Sequence, residues 1–195
     1  MRLRTYTLVY FQQVATNALR ASFIFVQAQI IHFYSTNTIV LGNREKYLGF
    51  ITSLFALLMG AIFMYRTIYP YNKPVHTNFI SYTAIFIMML ILTLSMLFGI
   101  ESIALYIAVY LLYGVLQGAL QNILMALLTR KFNTNEDGFL MGLWASSSHI
   151  GNIFSFLLFT VLIYYIKLDW KWCLLIAPTL TFLASGLLKL FEDEL

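Results

Sequence analysis

The sequence predicts an all-α integral membrane protein of six transmembrane helices, and three observations carry that prediction. Of 195 residues, 61% are hydrophobic and only 10% are charged, whereas a soluble domain carries about a quarter charged residues. The charges are also gathered between long apolar runs. Charge-free stretches cover 47–65, 74–100, 102–129, 138–166 and 172–188, and 5–43 is broken only by Arg20. A helix needs roughly 20 apolar residues to cross about 30 Å of hydrocarbon, which these runs reach or approach. Finally, turn-forming residues stand where the runs end.

The helices are expected over 6–33, 47–66, 76–99, 103–130, 138–166 and 171–190, as one transmembrane domain covering 1–195. The first follows a basic start, MRLRTYTLVYFQQ. Its apolar stretch is longer than the core of a signal peptide and lacks a small-residue cleavage site, so it reads as a retained span. Ser35-Thr36-Asn37 and Gly42-Asn43 part it from the second helix, and Pro70 and Pro74 flank the next turn. The third helix has only hydroxyls between bulky apolar residues over 79–98 and is expected to face lipid. Gly99 ends it, and Asn133 to Gly138 separate the fourth helix from the fifth. The connections are too short to form a soluble domain. The acidic end, Glu192-Asp193-Glu194, reads as a solvated tail.

The net charge of +4 does not mark a nucleic-acid binder, because the basic residues sit in pairs at helix ends: Arg44 and Lys46, Arg130 and Lys131, Lys167 and Lys171. That is how connecting loops orient a membrane protein. Arg2, Arg4, Arg66, Lys73, Arg130, Lys131 and Lys189 fall on one side of the bilayer, against Arg44, Lys46, Lys167 and Lys171 on the other. The bias places both termini on the cytoplasmic or matrix side, in an organelle inner membrane, the mitochondrial one included, or in the plasma membrane. Cys173 is the single cysteine, which excludes an internal disulfide and a cysteine-only metal site.

Polar residues inside the spans carry the functional signal. Arg20 stands near the middle of the first helix. A charge there costs roughly 2.5–3.5 kcal/mol, so it must face a cavity or a partner rather than lipid. Gln13, Asn17, Arg20 and Gln27 recur at helical spacing on one face. A second stripe, Gln117 and Gln121 with Asn122, lies in the fourth helix. A third, Ser148, Asn152 and Ser155, lies in the fifth, with His149 about 100° around the helix. Amides and hydroxyls of this kind also serve as plain interhelical glue, and His149 reads more simply as a packed polar residue than as a proton carrier. Arg20 is different, because no helix core supplies it with an acid: Glu101, Asp137 and Asp169 fall at helix ends or loops. An uncompensated arginine in a polar-lined cavity is the expected form of an anion site. His32, His76 and His149 belong to separate segments, with no metal-ligand spacing, glycine-rich phosphate loop or nucleophile elbow. The chain is therefore read as non-enzymatic, with no cofactor and no metal.

Gly114-Val115-Leu116-Gln117-Gly118, Arg130-Lys131-Phe132, Gly142-Leu143-Trp144 and Gly151-Asn152-Ile153, with Leu19-Arg20-Ala21-Ser22-Phe23 followed by Val26 and Ile30, resemble the major facilitator superfamily. Within it the pattern is most similar to the glycerol-3-phosphate and sugar-phosphate exchangers. The resemblance covers essentially the whole chain as the N-terminal six-helix half, itself a 3+3 pseudo-repeat, of a twelve-helix fold. It implies that Arg20 occupies the position of the family's phosphate-binding arginine, and that the first, fourth and fifth helices line the cavity. Two departures stand out. The family's organophosphate members carry a binding histidine four residues after the tryptophan, where this chain has Ser148, one residue before His149. The loop after the second helix is reduced to Met64-Tyr65-Arg66 without its acid. The C-terminal half, with the second phosphate-binding arginine, has no counterpart in these residues.

A single half presents polar faces that need covering, so membrane lipids and other membrane subunits, or a second transporter half, are the implied partners. The favoured expectation is an accessory, structural subunit of a larger membrane complex derived from a transporter half. The alternative is a half-size carrier of an organic phosphate or another small anion. In either case Arg20, Asn17, Gln117, Gln121, Ser148, His149 and Asn152 are the candidate residues facing substrate, lipid or partner.

Overall fold

A computed structural model describes residues 2–36, 44–69, 72–99, 103–131 and 137–191. Asn37, Gly42, Asn43, Pro70, Glu101, Asn133 and the acidic end lie outside the described residues, as do the side chains of Gln27, His32, Arg130 and Lys131. All regular structure described is helical: α1 (Arg2–Thr36), α2 (Arg44–Ile68), α3 (Pro74–Leu97), α4 (Ile103–Lys131), α5 (Asp137–Thr160) and α6 (Cys173–Leu190). Five helices are long and apolar enough to cross a bilayer, at Gly49–Ile68, Pro74–Leu97, Ala104–Leu128, Gly142–Tyr165 and Trp170–Leu190, which makes this an all-helical membrane protein. The 35-residue α1 is not among the five. Gln12, Gln13, Thr16, Asn17 and Arg20 interrupt its apolar residues.

The ends of the helices follow from local chemistry. Pro74 opens α3 at the first turn, where its missing N–H is no loss. The helix closes at Gly99, whose φ of 73° is the left-handed conformation that glycine adopts most easily. The fifth helix, expected to run to 166, ends its α-helical part at Thr160 and widens into one π turn over Val161–Tyr165. Asp169 then accepts a hydrogen bond from the Lys171 N–H (3.1 Å), capping the turn that leads into α6. The Lys171 ammonium donates to the Met96 carbonyl at the C-terminal end of α3 (3.2 Å). Tyr164, Tyr165 and Phe98 are exposed near this end of the bundle, as aromatic residues are at a membrane boundary.

The packing has a repeated scheme. α1 packs on α5 and α6, α4 packs on α2 and α3, α3 packs on α6, and α1 crosses α4. Exchanging the first three helices with the last three leaves this list of principal neighbours unchanged. Of the five apolar spans α4 is the most enclosed, with 61% of its most apolar 18-residue stretch buried, whereas α2 and α5 bury 11% and 22% of theirs and form the open flanks.

The α2–α4 and α1–α5 crossings rest on glycine. A Cβ on Gly118 would collide with the Met59 backbone, and one on Gly114 would lie 2.6 Å from the Phe55 ring, both where α2 meets α4. The counterpart is Gly151 of α5, where a Cβ would come within 2.6 Å of the Val14 carbonyl of α1. Small residues at these crossings let the backbones approach, which is the main source of helix association in lipid.

The interior is layered. One apolar cluster holds Leu19, Phe23, Phe55, Ile85, Met89, Tyr113 and Ala177, and a second holds Val9, Val75, Ile123, Leu127 and Leu188. Between them on α1, α3 and α6 lie buried Gln12, Gln13, Thr16, Asn17, Asn78, Thr181 and Ser185. The layer ties helices together: Gln12 Nε2 donates to the Thr181 carbonyl (3.4 Å), and the Thr16 and Tyr82 hydroxyls share a hydrogen bond. Several of its atoms have no partner among the described residues, including Gln12 Oε1, Gln13 Oε1 and both amide atoms of Asn78. An orphaned buried polar group costs about 1–3 kcal/mol. Asn78→Leu is accordingly expected to leave thermal stability unchanged or raise it by about 1 kcal/mol in a detergent melting curve. A clear destabilisation would show that Asn78 has an unseen partner.

The third helix corrects an expectation. It does not simply face lipid: Asn78, Tyr82, Ile85, Met89, Leu92 and Met96 are buried, while Ile80, Ile87, Ile91 and Leu94 are exposed. The side packed on α4 and α6 also carries Asn78, Ser81, Thr93 and Ser95. Ile85, Met89, Leu92 and Met96 beside them are as apolar as the residues left to lipid, so hydropathy alone did not set the two sides apart.

Candidate functional site

Arg20 projects from α1 one turn before Phe23, at the place where α1, α2 and α4 come together. It is half-buried, and no hydrogen bond or ion pair joins it to another described residue. It lines a cavity of about 190 Å³ with Phe23, Thr52, Phe55, Met59, Tyr110 and Tyr113 among its walls. The cavity exists because Gly114 brings α2 close to α4. Phe55 then lies over that glycine and stacks on Tyr110, ring centroids 4.7 Å apart. Phe23 stacks on Tyr113 at 4.8 Å. Four aromatic rings thus line the same cavity as Arg20.

The polar groups here are few. The Tyr110 hydroxyl is hydrogen-bonded to Thr52. The Tyr113 hydroxyl is fully buried, within electrostatic reach of Arg20, and has no partner among the described residues. The cation thus has a buried, unpartnered phenol O–H near it and no described acid. That arrangement suits an anion.

The other candidate residues lie elsewhere. Asn17 is buried where Gly151 of α5 presses on α1, and its amide donates to the Gln13 carbonyl of its own helix (3.0 Å). Gln117 is fully buried one turn beyond Tyr113, with neither amide atom partnered among the described residues, and Gln121 is half-buried. Asn122 is hydrogen-bonded to the Thr67 hydroxyl at the end of α2 (2.9 Å), which fits a structural tie. Ser148 is half-buried and turns its hydroxyl to the Ala145 carbonyl of its own helix (2.9 Å). His149 is exposed and Asn152 half-buried on the open flank of α5. Of the seven candidates, Arg20 alone lines this cavity.

The aromatic walls are what the reading of polar residues missed. Tyr106, Tyr110 and Tyr113 recur at intervals of four and three in a helix that crosses the membrane. Tyrosine away from the interfaces needs a partner for its hydroxyl, and that spacing is the signal that would have found them. Among the described residues no group of three or more His, Cys, Asp or Glu side chains could hold a metal ion.

Compared with protein-family models, curated proteins and solved structures, the chain matches none of them.

Proposed function

We propose that this chain forms one wall of a membrane carrier for small anions, with α1 as a sixth crossing and Arg20 as the anion clamp. The observation that carries the reading is the half-buried Arg20 on the cavity between α1, α2 and α4, with no hydrogen bond or ion pair to another described residue. A cation in hydrocarbon is costly unless something answers it, and no described acid does.

Two further features support a six-helix wall of the major-facilitator kind. The neighbour list is unchanged when the two sets of three helices are exchanged, as in a 3+3 repeat. α2 and α5, the equivalent flanks, are open, so a second wall can close over them. The distribution of Lys and Arg supports termini on the cytoplasmic or matrix side.

Thermal unfolding of the purified chain across a panel of inorganic phosphate, sulfate and benzoate tests the reading. At a hundredfold excess over Kd a bound anion adds about 2.7 kcal/mol, a rise of about 5–10 °C for a chain of this size. Arg20→Gln is expected to abolish the rise while leaving the helical content unchanged. No response to any anion would remove Arg20 from a binding role. The open flanks also favour a second reading, an accessory subunit of a larger membrane assembly. A stoichiometric native complex with unrelated subunits and no anion response would support that reading instead.

A further inference from the structure

We infer that a second concavity, the groove between α1, α5 and α6, holds one acyl chain of a phospholipid from the leaflet at the N-terminal end of α1. The groove shares no lining residue with the Arg20 cavity.

Helix packing creates it. α5 and α6 both pack on α1, but they are not principal neighbours of each other. Gly151 lets α5 settle against the Val14 carbonyl and Asn17 of α1. A slot is left over α1, between the two helices that flank it. Small side chains, Ala15, Ala18, Ala177 and Ala184, are its inner residues, buried or partly so. Exposed Phe11, Phe154 and Leu183 stand along its rims.

The chemistry of the walls selects hydrocarbon. No polar side chain lines the groove among the described residues. It is open along one side, and α5 and α6 are both long and apolar enough to cross the bilayer. An empty slot would forfeit the dispersion contacts of its walls. The membrane's own hydrocarbon restores them without burying any polar group.

The dimensions select one chain. From Ala177 to Leu187 the groove follows α6 for about 15 Å, at 1.5 Å per residue. It begins just before the middle of the Trp170–Leu190 span and ends in the last turn of α6. That is the depth of one leaflet, half of the roughly 30 Å of hydrocarbon. The volume is about 460 Å³, which over that length gives an average section of about 30 Å². An α-helix with its side chains is about 10–12 Å across and too wide to enter. A single polymethylene chain fits.

The test is photolabelling of the full chain in phosphatidylcholine nanodiscs. A fraction of the lipid carries a diazirine midway along one acyl chain, and mass spectrometry maps the adducts. Labelling of 11–18 and 177–187 is expected to exceed that of Leu57 and Met64 on α2 at least fivefold, although those two are as exposed as Phe11. Ala15→Phe combined with Ala184→Phe fills the slot and should bring the groove down to the α2 level, with unchanged circular dichroism. Ala184→Leu alone should lower the labelling at least twofold, and serves where the double variant does not fold. Equal labelling of the groove and α2 would show boundary lipid only and overturn the assignment. Labelling below that of α2 would overturn it in favour of a protein helix lying across the groove. Loss of the label on adding equimolar cholesterol would replace the acyl chain with a sterol. Enrichment that persists in both filled variants would place the chain outside the groove.

Discussion

Gly118→Leu is expected to lower the melting temperature of the purified chain by about 6–12 °C, the equivalent of about 3 kcal/mol. The side chain would have to occupy space held by the Met59 backbone. A flexible neighbour could move aside, but a helix backbone can yield only by moving the whole of α2 away from α4. Overpacking of this kind stands at the upper end of its usual range. Gly151→Leu is expected to act similarly, since the Val14 carbonyl of α1 blocks it. Gly60→Leu is the control: a Cβ there meets nothing within 4 Å, so the melting temperature should stay within about 1–2 °C. Equal effects at Gly60 and Gly118 would show that helix propensity, not close approach, sets the result.

Phe55→Ala is the second large effect, with an expected loss of about 3 kcal/mol. The ring lies against Gly114, stacks on Tyr110 and meets Tyr113 at 5.6 Å between centroids. Its removal opens a gap at the contact that docks α2, the least buried helix of the bundle. The loss belongs at the lower end of the range for large aromatic deletions. In lipid the side chain gains nothing from leaving water, so only its packing is forfeited. Phe55→Leu, which fills most of the space, should recover about half of the loss. Chemical denaturation in mild detergent measures both. A Phe55→Ala chain as stable as the parent would mean that α2 is held elsewhere, for instance by the Asn122–Thr67 hydrogen bond.

These two predictions concern the same boundary as the candidate site, because Gly114 and Phe55 shape the cavity in which Arg20 stands. A variant that separates α2 from α4 should lose anion stabilisation along with fold stability. Arg20→Gln should lose the anion response alone. That difference separates the architecture of the site from its chemistry.

Much of this protein is determined by the sequence alone. Long charge-free runs, punctuated by turn residues, require helices that bury their own backbone hydrogen bonds, since nothing else satisfies them in hydrocarbon. A lone arginine within such a run must have a cavity or a partner, and Arg20 was legible for that reason. The tertiary structure decided which polar residues share that cavity. Spacing along α1 put Asn17 and Arg20 on one stripe, yet the Gly151 crossing covers Asn17 while Arg20 stays half-buried among aromatic rings. It also decided that α3 has an inner face. In a soluble helix the apolar stripe marks the interior, but in a bilayer the exterior is apolar as well. Hydropathy then identifies the spans without saying which way they turn. Shape complementarity at a few glycines settles that, and those contacts exist only once the helices have met.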